Sequence, residues 1–194
     1  KNISKETNVF KAVFLGNYNT KDPDRIIELA ETTKRKNLPI QYFIYGKENR
    51  KPLIKGKNIL NSNILRNAIL KYNLQDSVFL MGHTENPEKI LLNANILIRP
   101  SRRNDPWGRD IIEGLSAGLL VIATGNNQVF IKNKINGLIF KVWNKKNISN
   151  ALQYYLSNKK ELNSLKRNAK KFAKIEFDPK KQGKKTTKYF ESFF

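Results

Sequence analysis

Residues 99–124 read RPSRRNDPWGRDIIEGLSAGLLVIAT. An apolar run from Ile96 to Ile98 leads into this stretch and stops at Arg99-Pro100. The loop that follows holds Asp105-Pro106, a turn former. From about Gly108 to Ala117 the apolar residues Ile111, Ile112 and Leu115 recur with helical spacing. Leu119 to Ala123 is again apolar and of strand length. Strand, loop, helix and strand in that order make one repeat of a parallel α/β unit.

The same alternation extends outward. Val9 to Leu15 is a strand interrupted by Lys11 and closed by Gly16. Asp22 is placed to cap a helix, with Pro23 at its first position and Ile26, Ile27 and Ala30 on its apolar face. Ile40 to Tyr45 is a second strand, closed by Gly46. Asn61 or Ser62 starts a helix carrying Ile64, Leu65, Ala68 and Ile69. Val78 to Met81 is a strand before Gly82, and Asn86-Pro87 opens a short helix. After Gly137 come a strand, Leu138 to Phe140, and then mostly helix, broken at Asp178-Pro179. The basic segment 47–60 fits no element. The expected fold is α/β, a Rossmann-like doubly wound parallel sheet with a helical C-terminal tail.

The 194 residues suffice for one domain with a real core and are short for two. There are 37 Lys and Arg against 16 Asp and Glu, a formal net charge of +21. That excess favours polyanions, or it is a compositional bias that only solvates the surface. No cysteine and a single histidine leave no disulfide framework and no expected metal site. No apolar run approaches the roughly 18 residues of a membrane span, and we read no signal peptide. Basic residues are spread along the chain and not interleaved with aromatics, so no specific nucleic-acid binding is expected. The chain starts at Lys1 without a methionine, as a piece of something longer would.

In an open parallel sheet, ligands sit beyond the carboxyl ends of the strands. The loops to read are therefore 16–22, 46–50, 82–86, 100–108 and 124–129. Glycines there allow close backbone approach. The helix starts near Pro23 and Gly108 offer amide donors and positive dipole ends, which suit a diphosphate. A P-loop and a GxGxxG fingerprint are both missing.

The segment 99–124 resembles the signature of family 4 retaining glycosyltransferases, at Pro100, Ser101, Gly108, Glu113, Ala117, Gly118 and Val121 to Thr124. Gly16 to Asp24 resembles that family's phosphate loop. Phe79 to His83 and Asn136 to Leu138 resemble two of its shorter motifs. The resemblance implies one half of a GT-B fold, the donor-binding half over residues 1–178. A C-terminal helix, 179–194, would cross to an acceptor domain outside this chain. It implies a donor nucleotide-diphosphate sugar, no metal or other cofactor, and a glycan or lipid-linked acceptor. Polysaccharide or lipopolysaccharide assembly in the cytoplasm, at the inner face of the membrane, is the corresponding expectation. The basic, aromatic tail from Lys180 to Phe194 is also readable as a helix resting on an anionic membrane.

The family pattern also implies roles. Asp105 would bind donor-sugar hydroxyls, Glu113 the ribose, and Lys21 the diphosphate. Gly16, Asn17, Ser101 and Arg109 join the donor-binding set, with backbone amides at Trp107 and Gly108. Gly82, His83 and Thr84 would line the base pocket. Ile111, Ile112 and Leu115 mark the buried helix face and Glu113 points away from it, so both acids can face the cleft. By spacing alone the pair is equally a turn former and a solvated helix residue. His83 is either a base contact or an exposed loop residue. The Trp107 ring either stacks on the donor or anchors its loop.

Four positions depart from the pattern. Asp105 stands where a longer Glu is usual. Asn17 replaces an arginine, in a loop one residue short before Lys21, which removes a bidentate phosphate donor. Arg102, Arg103 and Arg109 are candidates to compensate. Gly125-Asn126-Asn127 shortens a glycine-rich loop, and Leu119-Leu120 replaces a proline-containing pair. A degenerate domain serving as a non-catalytic binding or scaffold module is the alternative these departures raise.

Overall fold

The computed structural model describes residues 9–18, 22–47 and 62–193. Six strands form one sheet: β1 (Phe10–Leu15), β2 (Ile40–Tyr45), β3 (Val78–Gly82), β4 (Ile96–Arg99), β5 (Leu120–Thr124) and β6 (Leu138–Phe140). Their order is β3-β2-β1-β4-β5-β6, and every pair is parallel. The helices are α1 (Asp24–Arg35), α2 (Ser62–Lys71), α3 (Pro87–Leu92), α4 (Arg109–Ala117), α5 (Lys145–Ser157), α6 (Lys159–Glu176) and α7 (Pro179–Glu191).

Alternate residues of each central strand feed two cores. Phe14, Ile98 and Ile122 face α1, α2 and α5 through Ile27, Leu65 and Leu152. Val13, Leu97 and Val121 face α3, α4 and α6 through Leu91, Ile111 and Ala169. Burial on both faces explains why β4 and β5 read as unbroken apolar runs. Helix α6 serves both sides, with Leu162 and Leu165 in the first core and Ala169 and Ala173 in the second. At Gly114 an added Cβ would lie 2.5 Å from Leu97 Cδ2, so α4 rests directly on β4.

The strand order reverses between β1 and β4. Chain succession runs outward from β1 through β2 to β3, then returns to β4 and runs the other way. Loops at that reversal diverge to opposite faces and leave a crevice beyond the carboxyl ends.

One local expectation fails. Asp22 does not cap α1. It adopts a left-handed backbone, φ 55°, and the helix begins at Asp24 after Pro23 with no side-chain cap. The Asp22 carboxylate instead accepts the Arg102 backbone N–H at 2.7 Å and the Arg102 guanidinium at 2.7 Å. A charged partner 80 residues away outcompetes the orphan amides of its own helix. At the other end, Asp178 does cap α7, accepting from the Lys180 and Lys181 amides at 2.7 and 3.2 Å. No residue of α7 is buried. Among the described residues no helix is long and apolar enough to cross a membrane.

Candidate functional site

A cavity of about 330 Å³ opens at the reversal. Leu15 at the end of β1 leads into it with Gly16 and Asn17, and Tyr45 at the end of β2 with Gly46 and Lys47. His83, Thr84 and Pro87 enter after β3, and Arg109, Asp110 and Glu113 come from the first turns of α4. Backbone hydrogen bonds hold the strand ends in register, with Gly16 N–H donating to Tyr45 O at 3.1 Å and Gly46 N–H to Gly82 O at 2.8 Å. The loops after β1 and β2 touch. A Cβ on Gly46 would lie 2.0 Å from Gly16 O and 2.7 Å from the Tyr18 ring, so only glycine fits there.

Of the residues expected from sequence, Gly16, Asn17, His83, Thr84, Arg109 and Glu113 line the cavity. Glu113 is part-exposed, and its Oε1 lies 3.3 Å from Arg109 Nε one helical turn earlier. Arg109 itself is almost fully exposed at the rim. Gly82 closes β3 and accepts from Gly46 without lining the cavity. Ser101 is buried and its Oγ accepts the Arg103 N–H at 3.2 Å. Lys21 lies outside the described residues, as do 48–61.

The loop between β4 and α4 is organised by a residue that the sequence shows only as the end of a strand. Arg99 is buried. Its Nη1 donates to Asp110 Oδ1 at 2.6 Å and its Nη2 to Asp105 Oδ2 at 2.8 Å. Its Nε donates to the Asp105 carbonyl at 2.8 Å. Asp105 Oδ1 accepts the Trp107 N–H at 3.2 Å, so that amide already has a partner. The Trp107 ring is 41% exposed and stands edge-on to Phe130 at 5.4 Å between centroids. Phe130 meets Phe177 edge-on at 5.3 Å, and Phe177 meets Phe172 at 5.8 Å. The ring therefore anchors its loop, while one side of it stays open.

The candidate compensating arginines separate clearly. Arg102 is held by Asp22 and Asp24. Hydrogen bonding to Asp24, with that to Asp22, pushes its pKa above the ordinary arginine value. Arg25, whose pKa is lowered by burial and by Arg102, donates to the Pro100 carbonyl at 3.3 Å and lies over the Trp143 ring. These two tie α1 to the loop after β4. Arg109, not Arg102 or Arg103, lines the cavity, and Lys47 adds a second cation from β2. Lys47 is not among the residues expected from sequence, although its place directly after Gly46 at a strand end is the signal that marks it. Among the described residues no group of three or more His, Asp or Glu could hold a metal ion.

The six-stranded parallel α/β sheet matches GT-B glycosyltransferase C-terminal domains, and the helical tail is present. A glycosyltransferase from Rickettsia africae ESF-5 superposes with a TM-score of 0.79 at 19% identity, over 96% of this chain and 48% of that one. Anabaena Alr3699/HepE, solved in complex with UDP-glucose, gives 0.80 at 16% identity, over 95% and 49%. This chain thus spans about half the length of those two proteins. The C-terminal domain of LpcC, a group 1 family glycosyl transferase from Francisella tularensis, gives 0.73 at 18% identity, over 88% and 87%. No curated protein matches the sequence. The sequence model described as Glycosyl transferases group 1 matches residues 1–172, and the chain belongs to that family.

Proposed function

We propose that this chain is the donor-binding half of a retaining glycosyltransferase that transfers a hexose-type sugar from a nucleotide-diphosphate donor. The observation that carries the reading is the cavity at the sheet reversal, where Glu113 and Arg109 face the loops carrying Gly16-Asn17 and Gly46-Lys47. A carboxylate, two cations and glycine backbone around one cavity suit a ribose joined to a diphosphate. Glu113 accepts from the ribose hydroxyls, and His83 and Thr84 flank the base. Lys21, Arg109 and Lys47 neutralise the diphosphate as it leaves, stabilising the charge that develops in the transition state. Asp105 presents its open side to the sugar. No metal or protein nucleophile is invoked.

In this reading the acceptor, a glycan or lipid-linked sugar, enters from a second domain. Helix α7 reaches toward that domain, and the exposed Tyr189, Phe190 and, just past the helix, Phe193 pack there. The setting is the cytoplasm, at the inner face of the membrane. Solved relatives include one complexed with UDP-glucose and one, TarM from S. aureus, with UDP and alpha-GlcNAc-glycerol. Those ligands support a nucleotide-sugar donor here.

Calorimetric titration with UDP, GDP, ADP and their sugar conjugates tests the reading. One nucleotide should bind, and Glu113→Ala should weaken it. Folded protein that binds none of them counts against donor binding. A scaffold role is the second reading, favoured by Asn17 in the phosphate loop and by Asp105 having partners on both carboxylate oxygens. Full-length protein whose sugar transfer is unchanged by Asp105→Ala and Glu113→Ala would support the scaffold.

A further inference from the structure

We propose that Arg99 is a positioning residue of the sugar subsite, acting through Asp105; this rests on the donor-binding reading above. Arg99 is the last residue of β4, and its side chain is 6% exposed. A guanidinium removed from water is costly unless its donors are paired. Here its three groups bind the two ends of one loop: the carbonyl and carboxylate of Asp105, and the carboxylate of Asp110 in the first turn of α4. Loop and helix start are joined as one unit.

Gly108 seals that unit. Its φ is 143°, and an added Cβ would lie 2.6 Å from Arg99 Nη1 and 2.5 Å from Asp110 Oδ1. The backbone that leads into α4 is therefore pressed onto the ion pair itself. On the other side, the Trp107 amide takes Asp105 Oδ1. Two fixed donors, one planar cation and one amide, thus determine where the Asp105 carboxylate points. A carboxylate has about four lone-pair directions. The inner ones are occupied, while 44% of the side chain remains exposed, which leaves outward directions for a sugar hydroxyl.

This gives Arg99 a role distinct from holding the fold. The nucleotide contacts assigned to His83, Thr84 and Lys47 follow β3 and β2, away from Arg99, in a cavity whose lining does not include Asp105. Loss of the guanidinium fork frees Asp105 but leaves those residues in place. Lysine keeps the charge and cannot make the fork, because an ammonium is a point donor on a flexible stem.

The test compares wild-type and Arg99→Lys full-length protein. Each is titrated with UDP, GDP and ADP, and then with UDP-glucose, GDP-mannose and ADP-glucose. The readout is the ratio of nucleotide-sugar Kd to nucleotide Kd. The inference expects that ratio to rise about tenfold in Arg99→Lys while nucleotide Kd stays within about threefold, as losing one well-oriented charged hydrogen bond would give. A merely structural arginine would weaken both ligands in proportion or change neither, and either result overturns the inference alone. Wild-type protein that binds no nucleotide overturns the donor-binding reading with it. If Arg99→Lys does not fold, wild-type protein decides by NMR. The Arg99 Nε–H resonance should shift on adding the nucleotide sugar and stay put with the nucleotide; no shift with the sugar overturns the inference.

Discussion

Replacing Gly108 by alanine puts a methyl group against a buried ion pair, and the cost can be worked from the structure. The φ of 143° is a conformation L side chains rarely adopt, and such strain costs about 1–3 kcal/mol. The new Cβ would also lie 2.5 Å from Asp110 Oδ1 and 2.6 Å from Arg99 Nη1. These are side-chain tips, which on a surface could swing aside. Here the two side chains are 8% and 6% exposed and hold each other at 2.6 Å, so moving either one stretches a buried charged hydrogen bond. Breaking a buried pair outright costs about 3–5 kcal/mol. Partial separation plus the backbone term gives about 3–5 kcal/mol for Gly108→Ala. In a chain of this size that is a fall in Tm of roughly 6–20 °C. Urea unfolding followed by circular dichroism measures it directly. A variant within about 0.5 kcal/mol of wild type would show that the loop is not pressed onto the pair, and the packing argument for Arg99 would fail with it.

Three further outcomes follow from the same geometry. Glu113→Ala should weaken nucleotide binding by about 10- to 100-fold, the worth of charged hydrogen bonds to the ribose, with little change in Tm because the side chain is one-third exposed. Arg102→Ala removes a part-exposed clasp to Asp22 and Asp24 and should cost about 0.5–1.5 kcal/mol in urea unfolding. Lys181 hydrogen-bonds Glu176 and holds its carboxyl below the ordinary glutamate range. A depressed folded pKa means that the contribution is complete above the unfolded value and is lost as pH falls through the folded one. After correction for intrinsic exchange, α7 amides should lose protection as pH falls below the ordinary glutamate range, and Lys181→Ala should reduce that difference, leaving the weaker Lys185 contact.

The sheet was legible because each strand is an apolar run bounded by turn formers, and both faces of β4 and β5 are buried. The strand-end loops then located the cavity, since a parallel sheet collects them at one edge. What the sequence hid was long-range. Asp22 beside Pro23 has the local signature of a cap, and nothing nearby reveals that Arg102 takes its carboxylate. Arg99 reads as a polar residue ending a strand, and its burial depends on where Asp105 and Asp110 fold back. Of the candidate compensating cations Arg109 lines the cavity, whereas Asp22 and Asp24, remote in sequence, engage Arg102.

The row of rings from Trp107 through Phe130 and Phe177 to Phe172 has a mechanical meaning. Phe177 ends α6 immediately before the Asp178-Pro179 bend from which α7 departs. Edge-to-face contacts tolerate sliding poorly, because the ring edge must stay over the neighbouring face. Phe177 stays on the α6 side of that bend, its N–H bonded to the Ala173 carbonyl at 2.9 Å. The point from which the tail departs is thus moored, ring by ring, to the loop bearing Asp105.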